Sequence, residues 1–581
     1  MLITGAELFV KALRAEGVDA LFAYPGGQAI DLFNALYGEK EIEVILPRHE
    51  QGLVHAADGY ARSTGKVGVC LVTSGPGATN LVTGIATANY DSVPLVCFTG
   101  QVSTGLIGKS AFQEVAITDI VESVCKYAVT VHKRDDLAQA IREAFVIARS
   151  GKPGVALVDL PKDIQRQYGS GAYPENTEVG ECLTEHFAGA ERIREALDLL
   201  NRARRPVFLV GGGVGISRAG LAMQELAERT GVPVVTTIMG KGAIPTNHDL
   251  YIGNLGIHGS YAANMAVSRC DVLFAIGSRF NDRITGEIGC FAAHAAVVHI
   301  DIDPACISRN VAADISIVSD AKAAILELLK GAGKLELGEW MEEIYGWKSR
   351  YPAAMRGWGL TPEKVIRQIN QIFDSAIIAT DVGQNQLWAT QFLELNEKKR
   401  MLTSGGLGTM GYGLPAAIGA KIGNPSKDVI VISGDGGMQM NIQEMATAVC
   451  YELPMTICIF NNGFLGNVRQ WQEMFYDKRY VSTCMRYRKS CPHSCNSPAR
   501  HCPEYTPDFI RLAQSYGAKG IRVTRQEDIA PALKAAKGAR KAPVVIEFIM
   551  EPEENVMPIV PPGHGLEDMI LENQGSVCSA G

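Results

Sequence analysis

The sequence predicts an α/β protein built from three doubly wound domains, each with a parallel sheet. Short apolar runs alternate with helical segments along most of the chain, which is the rhythm of parallel sheets covered by helices on both faces. With 581 residues, the chain is also too long for a single hydrophobic core. We place the domains at residues 1–165, 190–330 and 361–550, with a C-terminal tail at 551–581.

The composition is that of a globular protein. Hydrophobic residues make up 47% of the chain and charged residues 20%. The net charge of −7 argues against a nucleic-acid partner. Polar residues, Gly or Pro interrupt every apolar run before membrane-spanning length, and no basic segment precedes an apolar one at the N-terminus. Because several of the 14 cysteines lie in apolar segments, we expect a cytoplasmic protein with reduced thiols that binds neither nucleic acid nor membrane.

The first and middle domains follow the same alternating plan. Apolar spacing in the first domain predicts helices at 4–17 and 51–63 and strands at 18–24, 42–46 and 67–73. In the middle domain it predicts strands at 205–210, 232–237, 272–277 and 299–303. Polar segments at 165–185 and 330–351 are predicted as linkers.

The third domain carries the clearest chemical motif. A predicted strand at 428–433 breaks into Gly434-Asp-Gly-Gly437, a helix is predicted at 441–451, and a second strand at 455–460 ends in Asn461-Asn-Gly463. Because parallel strands bring their carboxyl ends together, Asp435 and Asn462 should meet. A carboxylate and an amide oxygen suit Mg²⁺, and the glycines admit a diphosphate. This spacing resembles the metal-diphosphate motif of thiamine diphosphate enzymes; a plain strand–turn–helix is the alternative.

Glu50 is the candidate acid of the first domain. It follows a predicted strand and the residues Arg48 and His49. Thiamine chemistry needs a carboxyl group against the aminopyrimidine ring of the cofactor, and Glu50 is placed to supply it. The alternative is a glutamate at a helix start, stabilised by the helix dipole.

Several motifs together resemble one family, the catalytic subunit of acetohydroxyacid (acetolactate) synthase. They run in the family's order over nearly the whole chain: Pro47-Arg-His-Glu-Gln-Gly52, Ala57-Asp-Gly-Tyr-Ala-Arg62, Thr73-Ser-Gly-Pro-Gly-Ala-Thr-Asn80, Thr99-Gly-Gln-Val102, Ala111-Phe-Gln-Glu114, Ser404-Gly-Gly-Leu-Gly-Thr-Met-Gly411, Val468-Arg-Gln-Trp-Gln472 and Pro558-Ile-Val-Pro-Pro-Gly563. The resemblance implies a first domain that binds the thiamine pyrimidine, a flavin-binding middle domain and a third domain that binds the diphosphate and Mg²⁺.

The resemblance also implies residue roles. Glu50 would activate the cofactor in one subunit, while Asp435, Asn462 and the Phe464 carbonyl would hold Mg²⁺ in the partner subunit. Met410 would bend the cofactor, and Trp471 would select the second 2-oxoacid; core packing is the alternative for both. Residues implied on the substrate side are Gly27, Phe112, Gln113 and Lys162. Further implied cofactor contacts are Gly77, Asn80, Gln384, Gly408, Gly434, Gly436 and Gly437.

The middle domain resembles the family's FAD-binding domain. Its implied flavin contacts are Gly211, Gly212, Gly213, His258, Gly277, Arg279, Arg283, Asp301, Ile302 and Asp320. Glycine turns admit a diphosphate and the two arginines supply cationic donors. The flavin is expected to be structural, because carboligation transfers no net electrons to an acceptor.

Three single positions depart from the family pattern. Lys152 stands where the family usually has arginine, and Asn281 where it has aspartate, which puts flavin affinity in doubt. Asn467 stands where the family usually has methionine near the active-site mouth. This change puts the acceptor preference in doubt.

A cysteine-rich insert is the largest departure. Cys484, Cys491, Cys495 and Cys502 lie within one short basic segment. Four cysteines this dense suit Zn²⁺, an iron–sulfur cluster or a disulfide, but their spacing does not match the commonest zinc pattern. Free thiols on a basic loop are the preferred interpretation.

The implied activity is thiamine diphosphate-dependent carboligation. The enzyme would decarboxylate pyruvate and join the hydroxyethyl unit to pyruvate or 2-oxobutyrate, the first common step of branched-chain amino-acid biosynthesis. A homodimer is the expected minimum, a homotetramer is possible, and feedback control would need a separate small regulatory subunit. The alternatives are another thiamine enzyme, such as pyruvate oxidase or a 2-oxoacid decarboxylase, and a catalytically silent scaffold or regulatory partner.

Overall fold

Three parallel sheets organise the protein, so the predicted fold class is confirmed. The computed structural model describes residues 2–175, 189–355, 359–496 and 502–572. Each sheet has six strands, and all pairings within these sheets are parallel. Nearly every residue of their central strands is buried, as expected for sheets with helices on both faces.

The first sheet has the order β3-β2-β4-β5-β7-β6, and β1 pairs with β8 beside it in antiparallel fashion. Its strands are β1 (Leu2–Thr4), β2 (Ala20–Ala23), β3 (Glu43–Ile45), β4 (Gly68–Val72), β5 (Leu95–Gln101), β6 (Tyr127–Thr130), β7 (Val155–Pro161) and β8 (Tyr168–Ser170). The helices of this part are α1 (Gly5–Ala15), α2 (Ile30–Ala35), α3 (Glu50–Thr64), α4 (Pro76–Thr79), α5 (Val82–Tyr90), α6 (Ile117–Val121), α7 (Leu137–Arg149) and α8 (Lys162–Arg166).

The middle sheet has the order β11-β10-β9-β12-β13-β14. Its strands are β9 (Pro206–Val210), β10 (Val234–Thr236), β11 (Tyr251–Asn254), β12 (Val272–Ile276), β13 (Ala296–Asp301) and β14 (Ile315–Val318). The helices are α9 (Ala190–Arg202), α10 (Gly212–Ile216), α11 (Gly220–Thr230), α12 (Tyr261–Arg269), α13 (Asp282–Thr285), α14 (Ala321–Gly331) and α15 (Gly338–Arg350). Counted from its first strand, this is the 3-2-1-4-5-6 order of dinucleotide-binding folds.

The third sheet has the order β16-β15-β17-β18-β20-β19. Its strands are β15 (Ala376–Thr380), β16 (Lys399–Leu402), β17 (Asp428–Gly434), β18 (Thr456–Asn461), β19 (Lys519–Val523) and β20 (Val544–Ile549). The helices are α16 (Pro362–Ile372), α17 (Gln384–Phe392), α18 (Gly413–Gly423), α19 (Asp435–Met440), α20 (Glu444–Cys450), α21 (Gly466–Phe475), α22 (Phe509–Ser515) and α23 (Ile529–Lys537). Counted from their first strands, the first and third sheets share the order 2-1-3-4-6-5, so these domains are architectural relatives.

One local prediction was wrong and another was incomplete. The segment 330–351 is not only a linker, because it contains α15. Trp340 and Ile344 bury that helix against the middle domain, and its many charged residues hid this apolar face in the sequence. The helix predicted at 441–451 is present as α20, but the short helix α19 before it was not predicted.

The first and third domains meet through α3 and α18. A Cβ on Gly59 would lie 2.0 Å from the Ala416 carbonyl oxygen, and one on Gly419 would lie 1.7 Å from that of Ala56. Glycine is therefore required where these helices cross, since any side chain would push them apart.

His55 lies within this helix contact. Its ring stacks edge-on against Tyr412, with 5.4 Å between the ring centres, and neither ring nitrogen has a hydrogen-bond partner among the described residues. Burial, with a contribution from Arg62, lowers the pKa of His55 to about 3. The folded protein therefore holds a neutral imidazole that the unfolded chain would protonate below its ordinary pKa of 6.5.

We expect a His55→Phe variant to resist acid better than the parent protein. The parent should lose stability as the pH falls from 6.5 towards 3, by about 2 kcal/mol at pH 5, because only its unfolded chain gains the proton. Melting temperatures of both proteins between pH 8 and pH 5 would check this. His564→Phe, at an exposed histidine, is the control, and a His55→Phe advantage that does not grow as the pH falls would contradict the assignment.

Among the described residues, no helix combines the length and apolar character needed to cross a bilayer.

Candidate active site

The carboxyl edge of the third sheet opens into a narrow cleft. β15 and β17 are neighbours there, and the connections that leave them run to opposite sides of the sheet. Open α/β sheets bind ligands at such a point. The cleft is lined mainly by the turns at 382–385 and 434–437 and by residues 464–468.

Asp435 is the acid of this cleft. It begins α19 and is 1% exposed. Its Oδ2 atom is buried and has no hydrogen-bond partner among the described residues. Burial raises the pKa of the carboxyl to about 7, although backbone amides and Tyr505 oppose the shift. A cation beside Oδ2 would offset the desolvation of this charge, so the position fits a metal ligand.

Asn462 and Gln384 form the opposite side of the cleft. Asn462 Nδ2 donates to Gln384 Oε1 at 3.0 Å, and Asn462 Oδ1 accepts from the Phe464 amide at 3.1 Å. A Cβ on Gly466 would lie 2.0 Å from Gln384 Oε1, so a side chain at this position would displace the Gln384 amide. One carboxylate and one amide oxygen at the same sheet edge are the donors expected for Mg²⁺.

Met410 reaches the cleft on a loop held by Asp381. The Asp381 carboxylate accepts from the amides of Gly411 and Gly413, both at 3.0 Å. Met410 lines the cleft, and its Cε lies 3.5 Å from where a Cβ of Gly436 would stand. Gly408 belongs to the same loop and has a φ of 72°. The loop therefore places the Met410 side chain beside the glycine turn at 434–437.

Glu50 lies at the carboxyl edge of the first sheet. It is the first residue of α3, and its Oε2 accepts from Asn80 Nδ2 at 3.0 Å. A Cβ on Gly77 would lie 3.5 Å from Glu50 Oε1. Glu50 is thus a helix-start glutamate, and its carboxyl also borders the glycine turn that follows β4.

The predicted substrate-side residues gather at the same edge. Lys162 Nζ donates to the Gly27 carbonyl at 2.8 Å. Gln113 has a φ of 61°, which is rare outside glycine, and its Cβ lies 3.0 Å from where a Cβ of Gly75 would stand. The Phe112 side chain is 86% exposed. Strained backbone next to an exposed aromatic residue is typical of a binding loop.

Within the described chain, Glu50 does not line the cleft of the third domain. The residues that line the cleft all lie between 382 and 468, whereas Glu50 lies on the first domain. Within the described chain the two domains are joined at α3, where Glu444 Oε1 accepts from the backbone amides of Arg48 and His49, each at 3.0 Å.

An outer groove continues from the mouth of the cleft. It is lined by Arg283, Asn467, Val468, Trp471, Gln472, Tyr476, Arg479 and Val481. Trp471 contacts Phe475 edge-on and is not part of a domain core. Arg283 comes from the middle domain, so this predicted flavin contact lies by the proposed acceptor site.

A second switch point lies in the middle sheet, between β9 and β12. A Cβ on Gly211 would lie 2.1 Å from the Gly277 carbonyl oxygen, and Gly277 has a φ of 63°. These glycines let two turns touch. Asn254 Nδ2 and Ser278 Oγ, both at the same edge, are buried with no partner in the described chain. Unpaired polar atoms at a switch point fit a bound nucleotide.

The other predicted flavin residues differ in their contacts and burial. Arg279 stacks on the Tyr90 ring at 5.8 Å, and burial raises the pKa of Asp301. His258 is half-buried, and burial lowers its pKa to about 4. Asp320 Oδ1 caps α14 by accepting from two backbone amides. Gly212 and Gly213 begin α10 after β9, and Ile302 follows β13.

Lys152 and Asn281 occupy the positions that depart from the family. Lys152 Nζ donates to Asp303 Oδ2 at 3.0 Å, two residues beyond Asp301. Lys152 Nζ also lies 3.8 Å from Cys306 Sγ. Unlike a guanidinium, this ammonium group cannot form a planar pair of parallel hydrogen bonds with one carboxylate or phosphate. Asn281 precedes α13 without a side-chain capping bond.

The cysteine-rich insert packs against the segment that follows β18 and contains Phe464. Cys484 forms an isolated antiparallel bridge with Phe464. Burial, and then the neighbouring thiols, raise the pKa of Cys484. Across the described ranges, no three His, Cys, Asp or Glu side chains are arranged to hold a metal ion. The described part of the insert thus gives no support to a metal site; residues 497–501 lie outside the described ranges.

Several residues near the site had no sequence signal. Arg486 lies within the insert and Tyr505 lies just after it, and both oppose the rise in the pKa of Asp435. Glu444 anchors the start of α3. Gly383 and Asn385 line the cleft beside Gln384. Of these residues, only Gly383 could have been identified from the sequence, because a glycine shortly after an apolar run suggests a turn at the sheet edge.

Comparisons with known proteins agree with this geometry. Three family models match: the N-terminal TPP binding domain of thiamine pyrophosphate enzymes at residues 3–123, their central domain at 193–328 and their C-terminal TPP binding domain at 381–548. The fold and the cleft therefore define a thiamine pyrophosphate enzyme.

Similar curated proteins identify the branch of that class. The acetolactate synthase of Mycobacterium bovis is 42% identical over 97% of this chain and 90% of its own length. The acetolactate synthase large subunit of Corynebacterium glutamicum is 42% identical over 98% and 90%, and the probable large subunit of Methanocaldococcus jannaschii is 43% identical over 97% and 95%. The chain belongs to the acetolactate synthase large-subunit family.

Proposed function

We propose that this protein decarboxylates pyruvate and joins the two-carbon unit to a second 2-oxoacid. The products are 2-acetolactate from pyruvate and 2-aceto-2-hydroxybutyrate from 2-oxobutyrate, which begin branched-chain amino-acid biosynthesis. The observation that carries this proposal is the outer groove with Trp471 and two arginines, which continues directly from the diphosphate cleft. A groove with an aromatic face and cationic ends suits an acceptor with an alkyl chain and a carboxylate.

Thiamine diphosphate and Mg²⁺ are the proposed cofactors. The unpartnered Asp435 Oδ2 and the glycine turn fit them, with Asn462 Oδ1 and the Phe464 carbonyl completing the protein ligands. When bound, thiamine diphosphate supplies the electron sink for decarboxylation and carbon–carbon bond formation.

The side chains around the cofactor supply orientation and proton transfer. Glu50, held by Asn80, would share a proton with the aminopyrimidine nitrogen through its carboxyl oxygens. Met410 would press the cofactor into a bent shape, and Lys162 and Gln113 would face the substrate. Trp471 would give the alkyl group of the acceptor an apolar wall.

FAD is the proposed third cofactor, bound at the carboxyl edge of the middle sheet with a structural role. Support comes from the 3-2-1-4-5-6 strand order and from the buried unpaired atoms of Asn254 and Ser278. Because Lys152 lacks the planar, two-pronged donor geometry of arginine, we expect bound flavin to be lost on dialysis more readily than from an enzyme with arginine there. The absorbance spectrum of purified protein before and after dialysis, against Lys152→Arg as the matched variant, would check this.

A homodimer is the proposed minimum active unit, with a homotetramer as the next assembly. Its support is the separation of Glu50 from the cleft within one chain, so that Glu50 of a second subunit completes each site. We also propose the domain limits 1–165, 190–330 and 361–550, a separate small regulatory subunit and a cytoplasmic location. Cys70 and Cys97, cross-strand neighbours that remain thiols, agree with a reducing compartment.

Product analysis tests the proposed function. Purified protein would receive pyruvate and 2-oxobutyrate with thiamine diphosphate and Mg²⁺, with and without FAD. Acetohydroxyacids that require FAD are expected. Acetyl phosphate, peroxide or free acetaldehyde as the main product would point instead to a pyruvate oxidase or a decarboxylase.

A further inference from the structure

Asn467 lies where the diphosphate cleft and the outer groove meet. Asn467 and Val468 line both openings, and Trp471 stands one helical turn further along α21. Asn467 is therefore one of two residues shared by the proposed cofactor cleft and the proposed acceptor groove.

The Asn467 amide oxygen, Oδ1, is buried and has no hydrogen-bond partner among the residues that the structure describes. Its neighbours along the two openings, Val468 and Trp471, present apolar surface. A buried acceptor without a donor is unfavourable, so a donor on a ligand would be bound preferentially here.

We propose that Asn467 binds the hydroxyl group of a hydroxylated acceptor, a 2-oxoacid that carries a hydroxyl beside its oxo carbon. The inference rests on the proposed function and names a further acceptor class for the same site. The hydroxyl donates to Asn467 Oδ1. Arg283 and Arg479 at the groove offer cationic groups to the acceptor's carboxylate, although each also pairs with a neighbouring aspartate.

The reaction balances without an oxidant or reductant. The bond between the carboxylate and the oxo carbon of pyruvate breaks and releases CO₂. A carbon–carbon bond forms between the remaining two-carbon unit and the acceptor's oxo carbon, whose oxygen takes up one proton and becomes a hydroxyl. Asn467 takes no part in these bond changes and acts through binding alone.

Two acceptors of nearly equal size isolate this contact. Hydroxypyruvate and 2-oxobutyrate differ only by a hydroxyl in place of a methyl group. A site built to hydrogen-bond a hydroxyl discriminates against the analogue that lacks it, whereas an apolar wall does not. The ratio of their kcat/KM values as acceptors therefore reports the hydrogen bond and cancels effects common to both.

The experiment compares this ratio in the parent holoenzyme and two variants, with pyruvate as donor and products resolved by mass. Asn467→Leu removes the amide at similar volume, and Asn201→Leu makes the same change at an exposed position of α9, outside the groove lining. For Asn467→Leu we expect the hydroxypyruvate to 2-oxobutyrate ratio to fall about five- to tenfold, mainly through KM, as for one neutral hydrogen bond. For Asn201→Leu the ratio should not change.

The outcomes separate this inference from the proposed function. If pyruvate alone yields 2-acetolactate but Asn467→Leu leaves the ratio unchanged, the role of Asn467 is overturned and the proposed function stands. If the parent enzyme forms no acetohydroxyacid, both are overturned. Thermal melting of Asn467→Leu should match the parent, since no protein hydrogen bond to Oδ1 is lost.

Discussion

A Glu50→Gln enzyme is expected to lose about 100- to 10,000-fold in kcat, the usual contribution of a positioned proton-transfer group. Glutamine keeps the length of the side chain and can still meet Asn80, but it cannot share a proton with the aminopyrimidine nitrogen. The diphosphate cleft lies on another domain, so thiamine diphosphate should still bind. Acetohydroxyacid formation and thiamine diphosphate binding, measured on the same preparation, would check this.

Glu7→Gln is the matched control for Glu50→Gln. Glu7 is also a first-turn glutamate, and it completes the capping box of α1 with Thr4. If Glu50 served only to stabilise a helix start, both variants would show the same small loss of stability and near-normal turnover. Parent-like kcat in Glu50→Gln would therefore remove it from the proposed chemistry.

Asp435→Asn is expected to abolish Mg²⁺-dependent binding of thiamine diphosphate and to lower activity by on the order of 100-fold or more. The variant preserves shape but removes the carboxylate that faces the cleft, and neutral amide oxygens alone hold Mg²⁺ weakly. Calorimetric titration with thiamine diphosphate, with and without Mg²⁺, measures the effect. Asp508→Asn makes the same chemical change at the cap of α22 and should leave cofactor binding intact. If thiamine diphosphate binding to Asp435→Asn depends on Mg²⁺ as in the parent protein, the assignment of Asp435 as a metal ligand is wrong.

Mixing the two inactive variants tests where one active site is built. If each site takes Glu50 from one subunit and Asp435 from the other, a mixed dimer of Glu50→Gln and Asp435→Asn chains contains one intact site. Random exchange of subunits should then restore about a quarter of the parent activity. Sites formed within single chains would remain inactive whatever the mixture.

Much of the candidate site could be predicted because it depends on local patterns. Asp435 and Asn462 each follow a buried strand, and parallel strands place such residues at one edge whatever surrounds them. Glu444, Tyr505 and Arg486 could not be predicted in the same way. Glu444 meets Arg48 and His49 across nearly 400 residues of chain, and no local pattern records such a contact.

The glycines show a second limit. Gly211 and Gly277 were predicted as diphosphate contacts, and their loops do stand at a switch point. The structure adds that each excludes a side chain because the other turn lies against it. A glycine in a sequence signals that space is needed, but only the packed structure shows what occupies the space.

By itself, the sequence determined the class of fold, the order of the strands and helices along the chain and the identity of the chemical groups, because burial patterns and turn residues act over short distances. The tertiary structure decided which groups meet. It placed Glu50 and Asp435 at the edges of separate sheets, left Asp435 Oδ2 and Asn467 Oδ1 buried without a partner in the described part of the chain, and joined the cleft to the outer groove. These features arise from packing between distant segments, where small shifts decide whether a polar atom finds a partner.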